Sequence, residues 1–233
     1  MSDETLEELI QQLNANDSKE LIFIRPLAPA VDMAKIWTKD SRPPIKTIFP
    51  DRENVFYFFK NPENKYIGAV FDMKNDLHWY VLPAYRRQGY LTRNLNEVIL
   101  PCLLRSREEV RISIAAGPFA EQSEKVALSV GFTKLKDFGE HTRYVLKAKD
   151  LKQRHVKLEE SMPMPQIRYV ELKNQIEDIA RSLKIIKSEL EMYSGTSISH
   201  YEELEDLSYA LRSYVHNGLY EIWKAANQKK YNL

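Results

Sequence analysis

The sequence predicts a mixed α/β domain followed by a C-terminal antiparallel helical hairpin. Three observations carry this. Residues 55–82 hold three short β-prone runs separated by turn residues. Two stretches of helical periodicity follow, with the strand-like Val110–Ala115 between them. Beyond about residue 150 the strand signals stop, and apolar residues recur at alternating spacings of four and three.

In chain order, Leu6, Ile10 and Leu13 predict a short amphipathic helix over 4–14. Leu21–Ile24 reads as a first strand ended by Pro26, and Ala30, Met33, Ile36 and Trp37 predict a helix over about 29–39. Ser41–Asn54 holds three prolines and reads as irregular. Val55–Phe59, Tyr66–Met73 and Leu77–Leu82 then form an antiparallel meander, turning at Asn61–Asn64 and Lys74–Asp76.

Leu91, Leu95, Val98, Ile99, Cys102 and Leu103 give Gly89–Leu104 helical spacing. Val110–Ala115 is the next strand, so the unit from Leu82 to Val110 is a crossover, which normally sets its two strands parallel. Ala120–Val130 is a second helix, with Gly131 where a C-cap glycine belongs. Phe132–Leu135 and Arg143–Leu146 complete the strands.

Pro163 and Pro165 mark a break. Gln166–Tyr193 then carries Leu172, Ile176, Ile179, Leu183, Ile186 and Leu190 as a coiled-coil-like seam. After a polar loop holding Gly195, Ser199 and Glu202 form a capping box for a helix with Leu204, Leu207, Leu211, Tyr214, Ile222 and Trp223. Tyr169, Ile185, Val215 and Leu219 lie off the main stripe, a width that favours a homodimer. The predicted domains are 1–150 and 151–233.

Composition excludes several function classes. The net charge of the 233 residues is +1, and residues 151–233 carry 12 Lys/Arg against 12 Asp/Glu. Neither half has the basic balance that displaces counterions from nucleic acid. The single cysteine, Cys102, allows no intrachain disulfide, and no Cys/His cluster has zinc-ligand spacing. An acidic N-terminus and the lack of a long apolar run lead us to expect a soluble, cytoplasmic protein that does not enter membranes.

The informative segment is Val81-Leu82-Pro83-Ala84-Tyr85-Arg86-Arg87-Gln88-Gly89-Tyr90-Leu91-Thr92. A strand ends, the chain turns, and a helix begins with its first amides unpaired, which makes an anion site. Gly89 has no Cβ to keep a phosphate away. Arg86, Arg87 and Arg93 add positive charge. Spacing alone would also suit a plain strand-to-helix turn.

The context of this turn resembles the GNAT superfamily of N-acetyltransferases. Its pyrophosphate loop reads Arg/Gln-x-x-Gly-x-Gly/Ala after a strand ending Val-x-Pro. Val81, Pro83, Arg86 and Gly89 match, whereas Leu91 stands where the family usually has Gly or Ala. Further on, Ser123 followed by Gly131-Phe132 matches the pattern of the helix that runs beside the coenzyme, with Ala120 replacing the usual Asn.

The resemblance covers about residues 20–148 and implies the GNAT-type acyl-CoA N-acyltransferase fold, a mixed, mostly antiparallel central sheet flanked by helices. It implies acetyl-CoA as cosubstrate, with no metal. Its implied contacts are Val81 and Leu82 at the strand end, Arg86, Arg87, Gln88, Gly89, Tyr90, Leu91 and Thr92 at the turn, and Ser123. Backbone groups near Val81 would pair with the pantetheine arm between two splayed strands.

The implied activity is acetyl transfer to a primary amine of a small molecule or peptide by direct attack. Many relatives place a tyrosine acid where this chain has Ala127. His78, beside Asp76, and Tyr80 on the same strand face are candidates for the base, with Glu121 a third. The simpler reading of His78 is a surface histidine on a strand, and that of Cys102 is core. Arg42, Lys46, Asp51 and Arg52 fall where the family builds its acceptor wall, or on a solvated loop. A coenzyme-binding module without turnover, or an interaction protein working through its helical hairpin, stay open as alternatives.

Overall fold

The computed structural model describes residues 2–18, 21–37, 53–135, 141–151, 158–159, 161–194 and 199–228. The irregular segment with Arg42, Lys46, Asp51 and Arg52 lies outside them, as do the loop holding Gly195 and the Ser199 side chain of the predicted capping box. Two compact units are present, Met1–Glu160 and Ser161–Leu233.

The first unit is mixed α/β with antiparallel sheets. α1 (Asp3–Ala15) begins at Ser2, whose hydroxyl accepts from the Thr5 amide at 3.4 Å. It ends at Asn16 in the left-handed region, φ 53°. A five-stranded antiparallel meander follows, built from β1 (Leu21–Ala28), β2 (Val31–Trp37), β3 (Glu53–Lys60), β4 (Tyr66–Asp72) and β5 (Leu77–Val81).

The segment predicted as a helix over 29–39 is strand β2. Met33 opposes Arg25 on one side and Tyr57 on the other. Its spacing of Val31, Ala34 and Ile36 fits both periods, and pairing on both edges decides for the strand. Pro26 does not end β1, which runs on to Ala28 with an irregular register between them. β1 pairs only with β2 in this sheet, and an edge strand tolerates a residue without an amide hydrogen.

Both faces of the sheet are covered, which explains the near-continuous apolar runs of β3 and β4. On one face α1 buries Leu6, Leu9 and Ile10 against Ala34, Phe56, Phe58 and Phe71. The Asn14 side chain pairs with the backbone of Tyr66 through two 2.8 Å hydrogen bonds, fixing α1 along β4. The other face packs on α2 (Tyr90–Asn94), α3 (Leu100–Leu103) and α4 (Ala120–Ser129). A π-helical turn, Leu95–Ile99, joins α2 to α3. Pro101 follows two residues after its end, and its ring and missing amide disturb the ordinary ladder.

β6 (Glu109–Ala115), β8 (His141–Lys147) and β7 (Thr133–Lys134) form a second, three-stranded antiparallel sheet. α4 closes in a Schellman motif. Gly131 sits at φ 99°, its amide donates to the Leu128 carbonyl at 3.1 Å, and the Phe132 amide reaches the Ala127 carbonyl at 3.0 Å. The first unit runs past the predicted boundary at 150, since Leu158 is buried in its core and the Glu159 amide donates to the Leu27 carbonyl at 2.9 Å.

In the second unit α5 (Gln166–Ser194) packs on α6 (Ser199–Tyr214) and on α7 (Tyr220–Asn227) beyond it. Lys187 pairs with Glu205 at 2.6 Å, Ser208 donates to the Ala180 carbonyl at 2.8 Å, and Tyr169 meets the Trp223 ring. Rising numbers on one helix meet falling numbers on the other, so the pair is antiparallel. The packed face differs from the predicted seam. Ala180 is the buried residue of α5, whereas Ile179, Ile186 and Leu190 are exposed. The small Ala180 lets α6 approach its backbone closely enough for the Ser208 bond. No helix among the described residues is long and apolar enough to cross a membrane.

Candidate functional site

The site begins where β5 and β6 meet. Lys74 and Asn75, just before β5, lie beside Glu109 and Arg111 of β6. The Asp76 carboxylate Oδ1 then accepts from the Ser113 amide at 2.8 Å and from the Leu77 amide at 2.9 Å. The two segments rise in the same direction, as the crossover rule requires. They form no ladder with each other, and each belongs to its own sheet. Beyond the Asp76 tie, their facing edges border a cleft of about 1020 Å³.

Asp76 is therefore a structural tie in this fold. Burial pushes its carboxyl group above the usual carboxylate range, with the two amide hydrogen bonds working against that shift. The entry to β6 is fixed from the other side. The Arg107 guanidinium grips the nearly buried Asp72 in a two-pronged pair at 2.9 and 2.5 Å and also reaches the Lys74 carbonyl at 3.3 Å.

The turn after β5 forms one wall. A 3₁₀ turn at Pro83–Tyr85 leads to Arg87 at φ 62° and Gly89 at φ 78°, two left-handed residues that swing the chain into α2. The Arg93 amide is the first to find a helical partner, the Gly89 carbonyl at 3.0 Å. The amides of Tyr90, Leu91 and Thr92 before it stand at the open helix start. A Cβ built on Gly89 would meet no atom within 4 Å, so this stretch of backbone is accessible to a ligand.

Eight of the ten residues expected at a coenzyme line the cleft: Val81, Arg86, Arg87, Gly89, Tyr90, Leu91, Thr92 and Ser123. Leu82 and Gln88 do not. Leu82 packs towards the α1 face, and the Gln88 side chain donates back to the Ala84 carbonyl at 2.9 Å.

Arg86 stands differently from a loose phosphate ligand. Its Nε donates to the Val81 carbonyl at 2.9 Å, and its guanidinium lies over the Tyr80 ring at 5.4 Å and the Phe119 ring at 5.0 Å. It spans the cleft from β5 to the segment before α4. The Val81 carbonyl, expected to pair with an extended ligand, is thus engaged by this side chain. Arg87 is exposed where it lines the cleft, whereas Arg93, also exposed, lies over the Tyr90 ring and does not line it.

His78 and Tyr80 share the strand face that α1 covers, and both line the cleft. Each meets a carboxylate from α1. His78 Nε2 lies 2.9 Å from Asp3 Oδ1, and the Tyr80 hydroxyl donates to Glu7. Burial, together with the Glu7 carboxylate, pushes the Tyr80 phenol up to about 12. Asp3 and Glu7 carry no motif; their only trace in the sequence is the four-residue spacing that puts both on one side of a helix.

Glu121 does not line the cleft. It pairs at 2.6 Å with Lys125, which does line the cleft, and that bond lowers the Glu121 carboxyl pKa. Cys102 is half-buried against the core and does not line the cleft. No group of three metal-ligating side chains occurs among the described residues. No protein-family model matches this chain, and neither does any curated protein sequence.

Proposed function

We propose that the first unit is a GNAT-type N-acetyltransferase that moves an acetyl group from acetyl-CoA to a primary amine of a small molecule or peptide. One observation carries this: two neighbouring strands share a single tie at Asp76 and then border an open cleft, with a glycine turn and helix start on its rim.

Each part of the cleft suits one part of such a cosubstrate. The open amides of Tyr90, Leu91 and Thr92 suit a diphosphate, and the space beside Gly89 admits it. Arg87 adds charge at the same rim. The unpaired strand edges suit an extended chain with its own amide groups. The Val81 carbonyl accepts one bond from Arg86, and its second lone pair is what such a chain would use.

When bound, the thioester supplies the acetyl group. The amine nitrogen bonds to the acetyl carbon as the carbon–sulfur bond breaks. Sulfur keeps the electron pair and takes one proton, and the second proton lost by the ammonium goes to solvent. The chain contributes position above all, since no side chain here forms a covalent intermediate. The Tyr80 hydroxyl is already engaged as a hydrogen-bond donor to Glu7, and Ala127, where many members of that superfamily have a tyrosine, is fully buried.

Those last two observations favour a second reading, a coenzyme-binding module without turnover. Calorimetry with acetyl-CoA and free coenzyme at millimolar concentration tests what the readings share, and absence of heat overturns both. Thiol release with a panel of primary amines separates them. Amine-dependent release above hydrolysis supports the transferase.

A further inference from the structure

Two pairs at the α1 end of the cleft, Asp3 with His78 and Glu7 with Tyr80, use residues that the coenzyme turn does not explain. Both α1 carboxylates are half-exposed rather than sealed in a core, and Asp3 and His78 line the cleft together. An exposed ion pair stabilises a fold little. The placement is better accounted for by what it does to the imidazole.

Resting on the transferase reading, we infer that Asp3 is a positioning residue that orients His78 as the base for the acceptor ammonium. A carboxylate can only accept, so the hydrogen shared at 2.9 Å belongs to His78 Nε2. Nδ1 then carries the lone pair. The ammonium N–H bond breaks, an N–H bond forms at Nδ1, and the freed electron pair stays on the amine nitrogen for attack. Asp3 keeps its hydrogen bond from Nε2 throughout, so the ring does not turn.

The other groups around His78 fit this division. Tyr80, next on the same strand face, is occupied by Glu7 and held above its ordinary range, so it does not compete for the proton. Asp76 is committed to two backbone amides. Arg86 lies over the Tyr80 ring and donates to the Val81 carbonyl. Of the charged side chains that line the cleft, Asp3 is the carboxylate, and Arg86, Arg87 and Lys125 are the cations.

The test uses the full chain and the variants D3N, D3E, H78Q and the double variant D3N/H78Q. Acetyl-CoA affinity, measured by calorimetry, should stay within about twofold in all of them, because none touches the turn. Thiol release should fall about a hundredfold in H78Q and about tenfold in D3N, in kcat rather than KM. D3E should recover most of the loss. The double variant should be no slower than H78Q, because orienting a base that is gone has no further effect.

Losses in D3N and H78Q that simply multiply, or a D3N rate equal to wild type, overturn the inference while leaving the transferase reading intact. Coenzyme binding without amine-dependent release in the wild type also overturns it and leaves only a binding module. Absence of coenzyme binding overturns the transferase reading itself.

Discussion

The Asp76 carboxylate holds the Ser113 amide at 2.8 Å, and this single side chain does the work of a ladder between β5 and β6. It also accepts the Leu77 amide, so it fixes the first residue of β5 and the second half of β6 at once. Everything beyond that contact is open cleft. The width of the proposed coenzyme site therefore depends on a residue at its closed end.

Asp76→Ala should leave both amides without their acceptor and cost about 1 kcal/mol, at the low end for a lost hydrogen bond because the Ser113 amide is near solvent. Asp76→Asn keeps an accepting oxygen and should cost less. Burial raises the Asp76 pKa in the fold, so this group favours folding most below the ordinary carboxylate value and loses that contribution as pH rises through its raised one. The stability of D76N relative to wild type, followed by denaturant unfolding, should therefore improve as pH rises through that window. A difference that stays flat with pH would contradict this.

Gly89→Val should abolish coenzyme heat in calorimetry while the chain still folds. No atom lies within 4 Å of the new Cβ, so the cost to the fold is mainly the φ of 78°, about 1–2 kcal/mol for a non-glycine residue. The same side chain would project into the space proposed for the diphosphate. Unchanged binding in a folded G89V protein would remove the turn from the site.

Gly68→Ala should be far more damaging. A Cβ there would collide with the Phe59 ring and lie 2.7 Å from the Tyr80 carbonyl. Gly68 also opposes Val81 across β4 and β5, so strain at this point moves the wall of the cleft. A loss of about 2–3 kcal/mol is expected. Chemical denaturation of G68A measures it, and a loss below about 0.5 kcal/mol would show that Phe59 yields without cost.

Cys102 should react slowly with thiol reagents. Burial pushes its thiol above the usual range, with nearby Arg25 and Arg105 only partly offsetting that. Being the single cysteine of the chain, it gives an unambiguous readout. Alkylation at pH 8 should be roughly tenfold slower than for a free thiol. A rate equal to or above the free thiol would mean that the α3 face opens in solution.

Ser208→Leu should unfold the helical pair of the second unit, because Ser208 is fully buried and bonds the Ala180 carbonyl at 2.8 Å. Ser208→Ala removes only the hydrogen bond and should cost about 1 kcal/mol. Loss of helical circular dichroism in S208L but not in S208A would show close packing, not the bond, to be the stronger constraint.

Residue periodicity alone determined most elements of this protein. The β3–β5 meander, the helix after Gly89, strand β6 and the α4 helix with its glycine cap all follow from local spacing and turn chemistry. The turn at Arg86–Thr92 was legible for the same reason, since its features lie within a few residues of one another. What spacing left open, pairing decided. Val31–Trp37 fits a helix or a strand in isolation, and becomes β2 because β1 and β3 offer partners on both edges. The rest of the site was hidden because it joins residues far apart in the chain. Asp3 meets His78 across 75 residues and Asp76 meets Ser113 across 37. No local pattern records such a contact; it exists only once α1 packs on the sheet and the crossover lays β6 beside β5.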